Sequence, residues 1–233
     1  MAYLENFTNE KDPTKRNFEA TVIVGEKRTG KSSVAKILID LYAESYPSAK
    51  ILAYDISEAF GKQSVFKGYP VIKESELLSG VLIKNNQKYK WLKGVKRITN
   101  IEPDVFLKFA GEKFTDGLLF IDEATTLFNP NPSVAEKKFM TTHTNHRCDG
   151  LYVFHRLQDI PKSLRNSFWK FIIFSTGDNI SRLDRARGIK DIEDMGFQHA
   201  DHLYDAWKAA QVPEKRKKII QKFTVHKKKL DNE

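Results

Sequence analysis

The stretch TVIVGEKRTGKSS, residues 21–33, restricts the possible folds more than any other part of the sequence. It satisfies the pattern G-x-x-x-x-G-K-[ST] at Gly25, Gly30, Lys31 and Ser32. An apolar run precedes the pattern and apolar residues at helical spacing follow it, which is the strand, loop and helix context that the pattern requires. Glycines at these positions allow consecutive backbone N–H groups and the positive end of a helix to face a phosphate. The sequence therefore predicts a phosphate-binding loop between a buried strand and a helix.

The residues of this loop have expected roles in binding a nucleoside triphosphate. Lys31 is expected to reach the β and γ phosphates, and the Ser32 hydroxyl is expected to ligate Mg²⁺. ATP and Mg²⁺ are therefore the predicted cofactors. The predicted nucleotide-binding residues are consecutive: Gly25, Glu26, Lys27, Arg28, Thr29, Gly30, Lys31, Ser32 and Ser33. The basic side chains of Lys27 and Arg28 either add to phosphate binding or face a neighbouring subunit.

Short apolar runs bounded by turn residues recur along the chain and predict an α/β fold. Each has four or five residues that are apolar on both faces, which is typical of parallel strands buried between helices. We predict strands at 20–24, 51–54, 118–121, 151–154 and 171–174. Helices are predicted after the first strand, ending before Pro47, from about Val134 towards His143, and around 199–210. The predicted fold is a P-loop NTPase (RecA/ASCE-like) with a mostly parallel central sheet flanked by helices.

Two acidic residues end the predicted strand in LLFIDE, residues 118–123, as in a Walker B motif. Asp122 is expected to hold Mg²⁺ directly or through water, so Ser32 and Asp122 are the predicted metal ligands. Glu123 can orient and polarise an attacking water. Hydrolysis needs such a group, whereas phosphoryl transfer to an organic acceptor does not.

The segment HRCDGLYVFHRLQDIPKSLRNSFWKFIIFSTGDNISR, residues 146–182, resembles the FtsK/HerA superfamily of ring-forming, DNA-pumping ATPases. In that family an arginine precedes a glycine and a buried strand, the strand leads to a glutamine and then a basic helix, and the next strand ends in a polar turn with serine-arginine. The matching positions here are Arg147, Gly150, Gln158, Leu164-Arg165-Asn166, 171–174 and Ser181-Arg182. Together with the loop and the acidic pair, the resemblance covers roughly residues 20–185.

The resemblance implies two further catalytic residues beside Glu123. Gln158 would contact the γ-phosphate or the lytic water and report whether phosphate is present. Arg147 would be an arginine finger for the γ-phosphate of a neighbouring subunit, and Arg156 and Arg165 are alternatives for that role. A finger acting in trans implies self-association into a closed ring of five or six subunits. His155 is expected to pack or hydrogen-bond at a strand end, in a position where the family usually has a small residue.

The formal net charge of +9 suggests a polyanionic partner, and two segments carry much of it. Residues 84–97 contain six basic side chains, two aromatic ones and no acid, and residues 213–233 contain eight basic and three acidic ones. Both segments are either solvated, as a hairpin and a tail, or in contact with a phosphate backbone. The tail could also bind a capsid vertex or an anionic membrane surface.

Cysteine content and hydropathy give the expected compartment. Cys148 is the single cysteine, so no internal disulfide can form, and no apolar run approaches the ~20 residues that span a bilayer. We expect a cytoplasmic protein, in the host cytoplasm if it is viral, with attachment to a virion vertex as an alternative. The expected organisation is an N-terminal extension at 1–17, a motor domain at 18–210 and a basic tail at 211–233.

Together with the phosphate-binding loop and the acidic pair, the resemblance to the FtsK/HerA superfamily implies an ATP-driven translocase that binds double-stranded DNA without sequence preference. Within the superfamily, the chain looks most like the compact genome-packaging ATPases of viruses with internal membranes. Alternatives are a nucleotide or small-molecule kinase, an export ATPase for filamentous phage or conjugative single-stranded DNA, and a nucleotide-gated scaffold without turnover.

Overall fold

The computed structural model describes residues 20–56, 64–84, 87–91, 93–128, 132–142, 147–161, 164, 168–174 and 224–226. The predicted N-terminal extension, the predicted helix at 199–210, the Ser181-Arg182 turn and nearly all of the basic tail lie outside these residues.

Strands and helices alternate along most of the described chain. The strands are β1 (Ala20–Val24), β2 (Lys50–Tyr54), β3 (Val81–Lys84), β4 (Gln87–Lys90), β5 (Gly94–Ile98), β6 (Gly117–Ile121), β7 (Cys148–Phe154), β8 (Phe168–Ile173) and β9 (Thr224–His226). The helices are α1 (Lys31–Ser45), α2 (Glu74–Ser79), α3 (Pro103–Glu112), α4 (Ala124–Leu127) and α5 (Val134–Thr142), and a 3-10 turn spans Leu157–Asp159.

A seven-stranded sheet with the order β5-β2-β6-β7-β1-β8-β9 forms the centre of the described structure. The first six strands in this order, from β5 at one edge to β8, run parallel to their neighbours. The last strand, β9, pairs antiparallel with β8. Strand β7 lies between β1 and β6, with Phe154 opposite Val24 and Tyr152 opposite Ile121. The carboxyl ends of β1, β6 and β7 therefore meet at one edge of the sheet. The predicted α/β class with a mostly parallel sheet is confirmed.

Apolar side chains cover both faces of the sheet, which explains why the strands read as continuous apolar runs. On one face, Leu119 and Ile121 pack in a core that includes Phe106 of α3 and Phe139 of α5. On the other face, the alternate residues of the same strand pack with α1. The two-residue period of a strand separates these two sets, and each set needs its own helical cover.

The strand predictions agree with the structure at β1 and miss only one to three starting residues at β2, β6 and β7. Strand β8 begins at Phe168 and ends at Ile173, rather than spanning 171–174. Strand β5 and helix α3 were not predicted. The sequence GVKRI of β5 has a basic pair where a buried strand usually has apolar residues. Helix α3 does carry a signal, because Pro103 begins it and Phe106, Leu107 and Ala110 are buried.

One of the basic residues of segment 84–97 is part of the protein interior. Arg97 is 5% exposed and its Nη1 lies 3.4 Å from Oδ2 of Asp55, which is fully buried at the end of β2. Arg97 Nε also donates to the carbonyl oxygen of Tyr69 at 3.2 Å, and Ser64 Oγ donates to the same Asp55 oxygen. This side chain therefore holds segment 64–72 against the sheet, and it is not a candidate for contacting DNA.

Among the described residues, no helix combines the length and the apolar character needed to cross a bilayer.

Candidate nucleotide-binding site

The sheet topology brings the predicted site residues from three separate parts of the chain to one edge. Gly25 follows β1 and its N–H donates to the carbonyl of Phe154, the last residue of β7, at 3.3 Å. Asp122 follows β6, and its N–H donates to the carbonyl of Tyr54 at 2.9 Å. Ligands of open parallel sheets bind outside the carboxyl ends of the strands, which is where these residues lie.

The glycine loop is held by its own side chains in a conformation that leaves helix α1 open at its N-terminus. Thr29 Oγ1 and Lys31 Nζ both donate to the carbonyl oxygen of Glu26, at 2.9 and 2.6 Å. Gly30 (φ 94°) and Arg28 (φ 67°) have left-handed backbones, which is uncommon for a residue with a side chain. Gly30 occupies the N-cap position and has no side chain to bond the first N–H groups of α1. Those groups point to where a phosphate would bind.

The Lys31 ammonium lies at the centre of the loop and is nearly buried, with 6% of the residue exposed. Burial lowers the pKa of Lys31, and the carboxylates of Glu123, Asp122 and Glu26 oppose this shift, with Glu123 having the largest of the three effects. A bound phosphate would supply further negative charge beside this cation.

Two oxygen atoms are arranged for a divalent cation. Ser32 Oγ and Asp122 Oδ1 are 3.4 Å apart, and Asp122 is 2% exposed. A hydroxyl and a carboxylate oxygen are the hard ligands that Mg²⁺ prefers, and their spacing is close to the roughly 3 Å that separates adjacent ligands of an octahedral Mg²⁺ ion. Within the described ranges, no group of three or more His, Cys, Asp or Glu could hold a metal. One hydroxyl and one carboxylate, as in Ser32 and Asp122, fit a Mg²⁺ ion that takes its other ligands from phosphate oxygens and water.

Glu123 has a constrained backbone and a specific side-chain partner. Its φ of 53° is left-handed, and its carbonyl oxygen accepts from the N–H and the hydroxyl of Thr126, both at 2.8 Å. Its Oε2 lies 2.5 Å from Nε2 of His155, the residue that follows β7. The backbone N–H of His155 in turn donates to Thr125 Oγ1 at 3.1 Å. The loops that follow β6 and β7 are therefore tied together at two points.

A cleft of about 470 Å³ separates the glycine loop from the segment after β7. Its lining includes Glu26 and Lys27 on one side and His155, Arg156 and Asp159 on the other. Gln158 is exposed in the 3-10 turn that supplies Asp159 to this lining. Arg156 is also exposed, and as part of this lining it lies beside the glycine loop of its own chain. Arg165 lies outside the described residues.

Arg147 lies at the opposite edge of the sheet. It directly precedes β7, whose seven residues span on the order of 20 Å, so its guanidinium does not reach the glycine loop of its own chain. Its Nη2 pairs with Oδ1 of Asp116 at 2.6 Å, and both side chains are about half exposed. Both residues have left-handed backbones and precede neighbouring strands. The arginine-finger role of Arg147, which requires a second subunit, stays a prediction.

The sequence predicted packing or hydrogen bonding at a strand end for His155, with catalysis as the less favoured alternative, but it did not predict that Glu123 is the partner. The available signal was positional, because residues that directly follow two adjacent parallel strands lie side by side at the same edge.

Comparison with known proteins identifies structures with the same fold. No protein-family model and no curated protein sequence match the chain. The genome-packaging NTPase B204 of Sulfolobus turreted icosahedral virus 2, in complex with ATP-gammaS, is 14% identical with a TM-score of 0.56, over 76% of this chain and 86% of that one. Its complex with AMP is 17% identical with a TM-score of 0.56, over 78% and 87%. B204 of Sulfolobus turreted icosahedral virus, described as a DNA-packaging ATPase, is 18% identical with a TM-score of 0.50, over 72% and 82%.

Sequence identities this low establish a common fold only. The α/β fold predicted from the sequence is therefore shared with structures of a genome-packaging NTPase. The chain has the P-loop NTPase fold of the viral genome-packaging NTPase B204.

Proposed function

We propose that this protein is an ATP-hydrolysing motor that moves double-stranded DNA through a homo-oligomeric ring, in the packaging of a viral genome. One observation carries the ATPase part of the proposal. Lys31, Ser32, Asp122 and Glu123 come from two distant parts of the chain and meet at the carboxyl edge of one sheet. The likeness to a packaging NTPase supports the remaining part.

The proposed chemical step uses each of these residues in a separate role. Lys31 and the first N–H groups of α1 bind the β and γ phosphates. A Mg²⁺ ion held by Ser32 and Asp122 would neutralise charge that develops on the phosphate oxygens. Glu123 accepts a proton from the attacking water and orients it towards the γ-phosphate. Gln158, in the turn beside the cleft, senses whether that phosphate is present.

Contacts with DNA are proposed for the exposed lysines of segment 84–97. Lys88 and Lys90 are exposed on β4, and Lys93 is exposed just before β5. Buried Arg97 is not part of this surface. Contacts between lysines and phosphates carry no sequence information, so binding would weaken steeply with salt and would not depend on sequence. The basic tail is a second candidate, for DNA, for a capsid vertex or for a membrane protein.

Ring assembly would give Arg147 a catalytic role in a neighbouring subunit. Its ion pair with Asp116 is solvent-exposed on both sides, and such pairs contribute about 0 to 1 kcal/mol. Exchanging Asp116 for the phosphates of an adjacent site would therefore cost little. A finger in trans is worth ~10³ to 10⁵ in rate, so turnover would depend on the assembled ring.

The test is an ATPase assay with and without double-stranded DNA, run beside a measurement of particle size. We expect turnover that DNA stimulates, from a species of five or six subunits. Glu123→Gln should bind ATP and lose turnover, whereas Glu44→Gln, on the exposed far end of α1, should behave as wild type. Full turnover by Glu123→Gln would contradict the role of Glu123.

A subunit-mixing experiment tests the arginine in trans. Arg147→Ala and Glu123→Gln subunits are each expected to be inactive alone. Mixed rings would contain some interfaces with an intact Glu123 facing an intact Arg147, so part of the activity should return. An absence of rescue at every ratio would exclude Arg147 and leave Arg156 and Arg165.

Two other classes of function would give different results in the same assay. A kinase would transfer labelled γ-phosphate to a nucleoside monophosphate or another small acceptor with no net release to water. A nucleotide-gated scaffold would bind ATP without turnover. Stimulation by single-stranded rather than double-stranded DNA would indicate an export ATPase.

A further inference from the structure

We infer that His155 is a positioning residue that holds the carboxylate of Glu123 beside Lys31, an inference that rests on the proposed ATPase function. The observation is the 2.5 Å contact between His155 Nε2 and Glu123 Oε2, made by side chains that are only 20% and 27% exposed. A hydrogen bond shielded in this way is stronger than one in open water.

The surroundings of the imidazole determine which nitrogen carries the proton. Nδ1 of His155 is buried and has no hydrogen-bond partner within the part of the chain that the structure describes. A carboxylate oxygen can only accept a hydrogen bond, so the contact between His155 and Glu123 needs an N–H on Nε2. His155 therefore donates from Nε2 to Glu123, and this hydrogen bond fixes the direction of the carboxylate.

The position in which Glu123 is held is suited to hydrolysis. Of the three carboxylates that act on Lys31, Glu123 has the largest electrostatic effect, and Lys31 marks where the γ-phosphate would lie. The backbone of Glu123 is fixed by Thr126, but its side chain keeps several rotatable bonds. The contact with His155 removes that remaining freedom before water arrives.

The backbone of His155 is itself anchored. Its N–H donates to Thr125 Oγ1 at 3.1 Å, and it directly follows the fully buried strand β7. The imidazole thus projects from a rigid element onto the residue next to the metal ligand Asp122. An error of about 1 Å in the position of a catalytic group can cost ~10²-fold in rate, which is the size of effect that this anchoring would prevent.

The experiment compares three variants that differ in where they place a donor. Gln can carry an amide nitrogen to about the position of the imidazole Nε2, whereas Asn is one carbon shorter and Ala has no donor. We expect His155→Ala and His155→Asn to lose roughly 10- to 100-fold in kcat with unchanged KM, and His155→Gln to recover most of the turnover. ATP binding and thermal unfolding of all three are measured as controls for folding.

Each outcome distinguishes this inference from the proposed function. If the wild type hydrolyses ATP and His155→Ala has an equal or higher kcat, the positioning role is overturned and the proposed ATPase function stands. The same conclusion follows if Gln rescues no better than Asn, or if KM changes instead of kcat. No turnover by the wild-type protein would overturn the proposed function, and the inference with it.

Discussion

Ser32 Oγ donates a hydrogen bond to Asp122 Oδ1 at 3.4 Å, although 90 positions separate the two residues in the chain. Ser32 is the second residue of α1, the helix that follows β1, and Asp122 directly follows β6. Strands β1 and β6 are not neighbours in the sheet. They meet because the loops after β1 and β6 both reach over the end of the intervening strand β7. This pair defines the expected position of Mg²⁺.

Removing either oxygen should impair turnover through the metal. We expect Ser32→Ala and Asp122→Asn to lower ATP turnover at least ~100-fold, because the ion supplies several kcal/mol of charge stabilisation. Both variants should also need more Mg²⁺ for half-maximal activity. Ser45→Ala, at the other end of the same helix, is the matched control. A Mg²⁺ titration identical to that of the wild type would show that the pair does not bind the ion.

Arg97→Met should strongly destabilise the protein. Asp55 is fully buried, and the substitution removes the guanidinium that neutralises it, so we expect a loss of about 3 to 5 kcal/mol in the free energy of unfolding. Lys96→Met, one residue earlier on β5 and half-buried, should change it by less than about 0.5 kcal/mol. Urea denaturation followed by circular dichroism measures both. A double variant with Asp55→Asn should lose less than the two single changes added together.

Gly117→Ala tests how closely β2 and β6 approach each other at the amino edge of the sheet. A β-carbon at Gly117 would overlap the carbonyl oxygen of Lys50 and lie 2.9 Å from its carbonyl carbon. Both atoms belong to a paired strand and cannot turn away, so we expect a loss of roughly 1 to 3 kcal/mol. Gly68→Ala, which would meet no atom within 4 Å, should be neutral or slightly stabilising. Equal stability of the two variants would contradict the register of β2 and β6.

Cys148 should be almost inert to thiol reagents while the protein is folded. It is 4% exposed and burial raises its pKa to about 12, so at pH 8 only ~1 in 10⁴ molecules carries the thiolate. Labelling with a disulfide reagent should therefore be slow in the native protein and fast after denaturation. Rapid labelling of the native protein would contradict the burial of β7 at this residue.

The same shift predicts a loss of stability at alkaline pH. The folded pKa of Cys148 lies above its ordinary value of 9.0, so its contribution is complete below pH 9 and is lost as the pH rises towards about 12. Burial also raises the pKa of Tyr54 to about 12 from 10.0, which adds a loss above pH 10. Cys148→Ala should therefore show a shallower decline than the wild type from about pH 9 to about pH 12, and the loss from Tyr54 should remain above pH 10.

Local sequence was sufficient to predict the elements that build the candidate nucleotide-binding site. The pattern around Gly25 and Gly30, with its apolar run and helical spacing, specifies a strand, a loop and a helix through backbone bonds between near neighbours. Continuous apolar runs specify parallel strands, because both faces of such a strand are buried. The acidic pair at 122–123 could be placed at a strand end for the same reason.

Only the tertiary structure decided which distant residues come into contact and which charged residues are buried. Arg97 looked like part of a basic surface, yet packing of β5 beside β2 buries it against Asp55. The sequence favoured Arg147 over Arg156 and Arg165 as the arginine finger, and the direction of β7 puts it at the edge opposite to the glycine loop of its own chain. His155 contacts Glu123 because β6 and β7 are neighbours. Strand order is determined by how helices pack across the whole sheet, which no short stretch of sequence encodes.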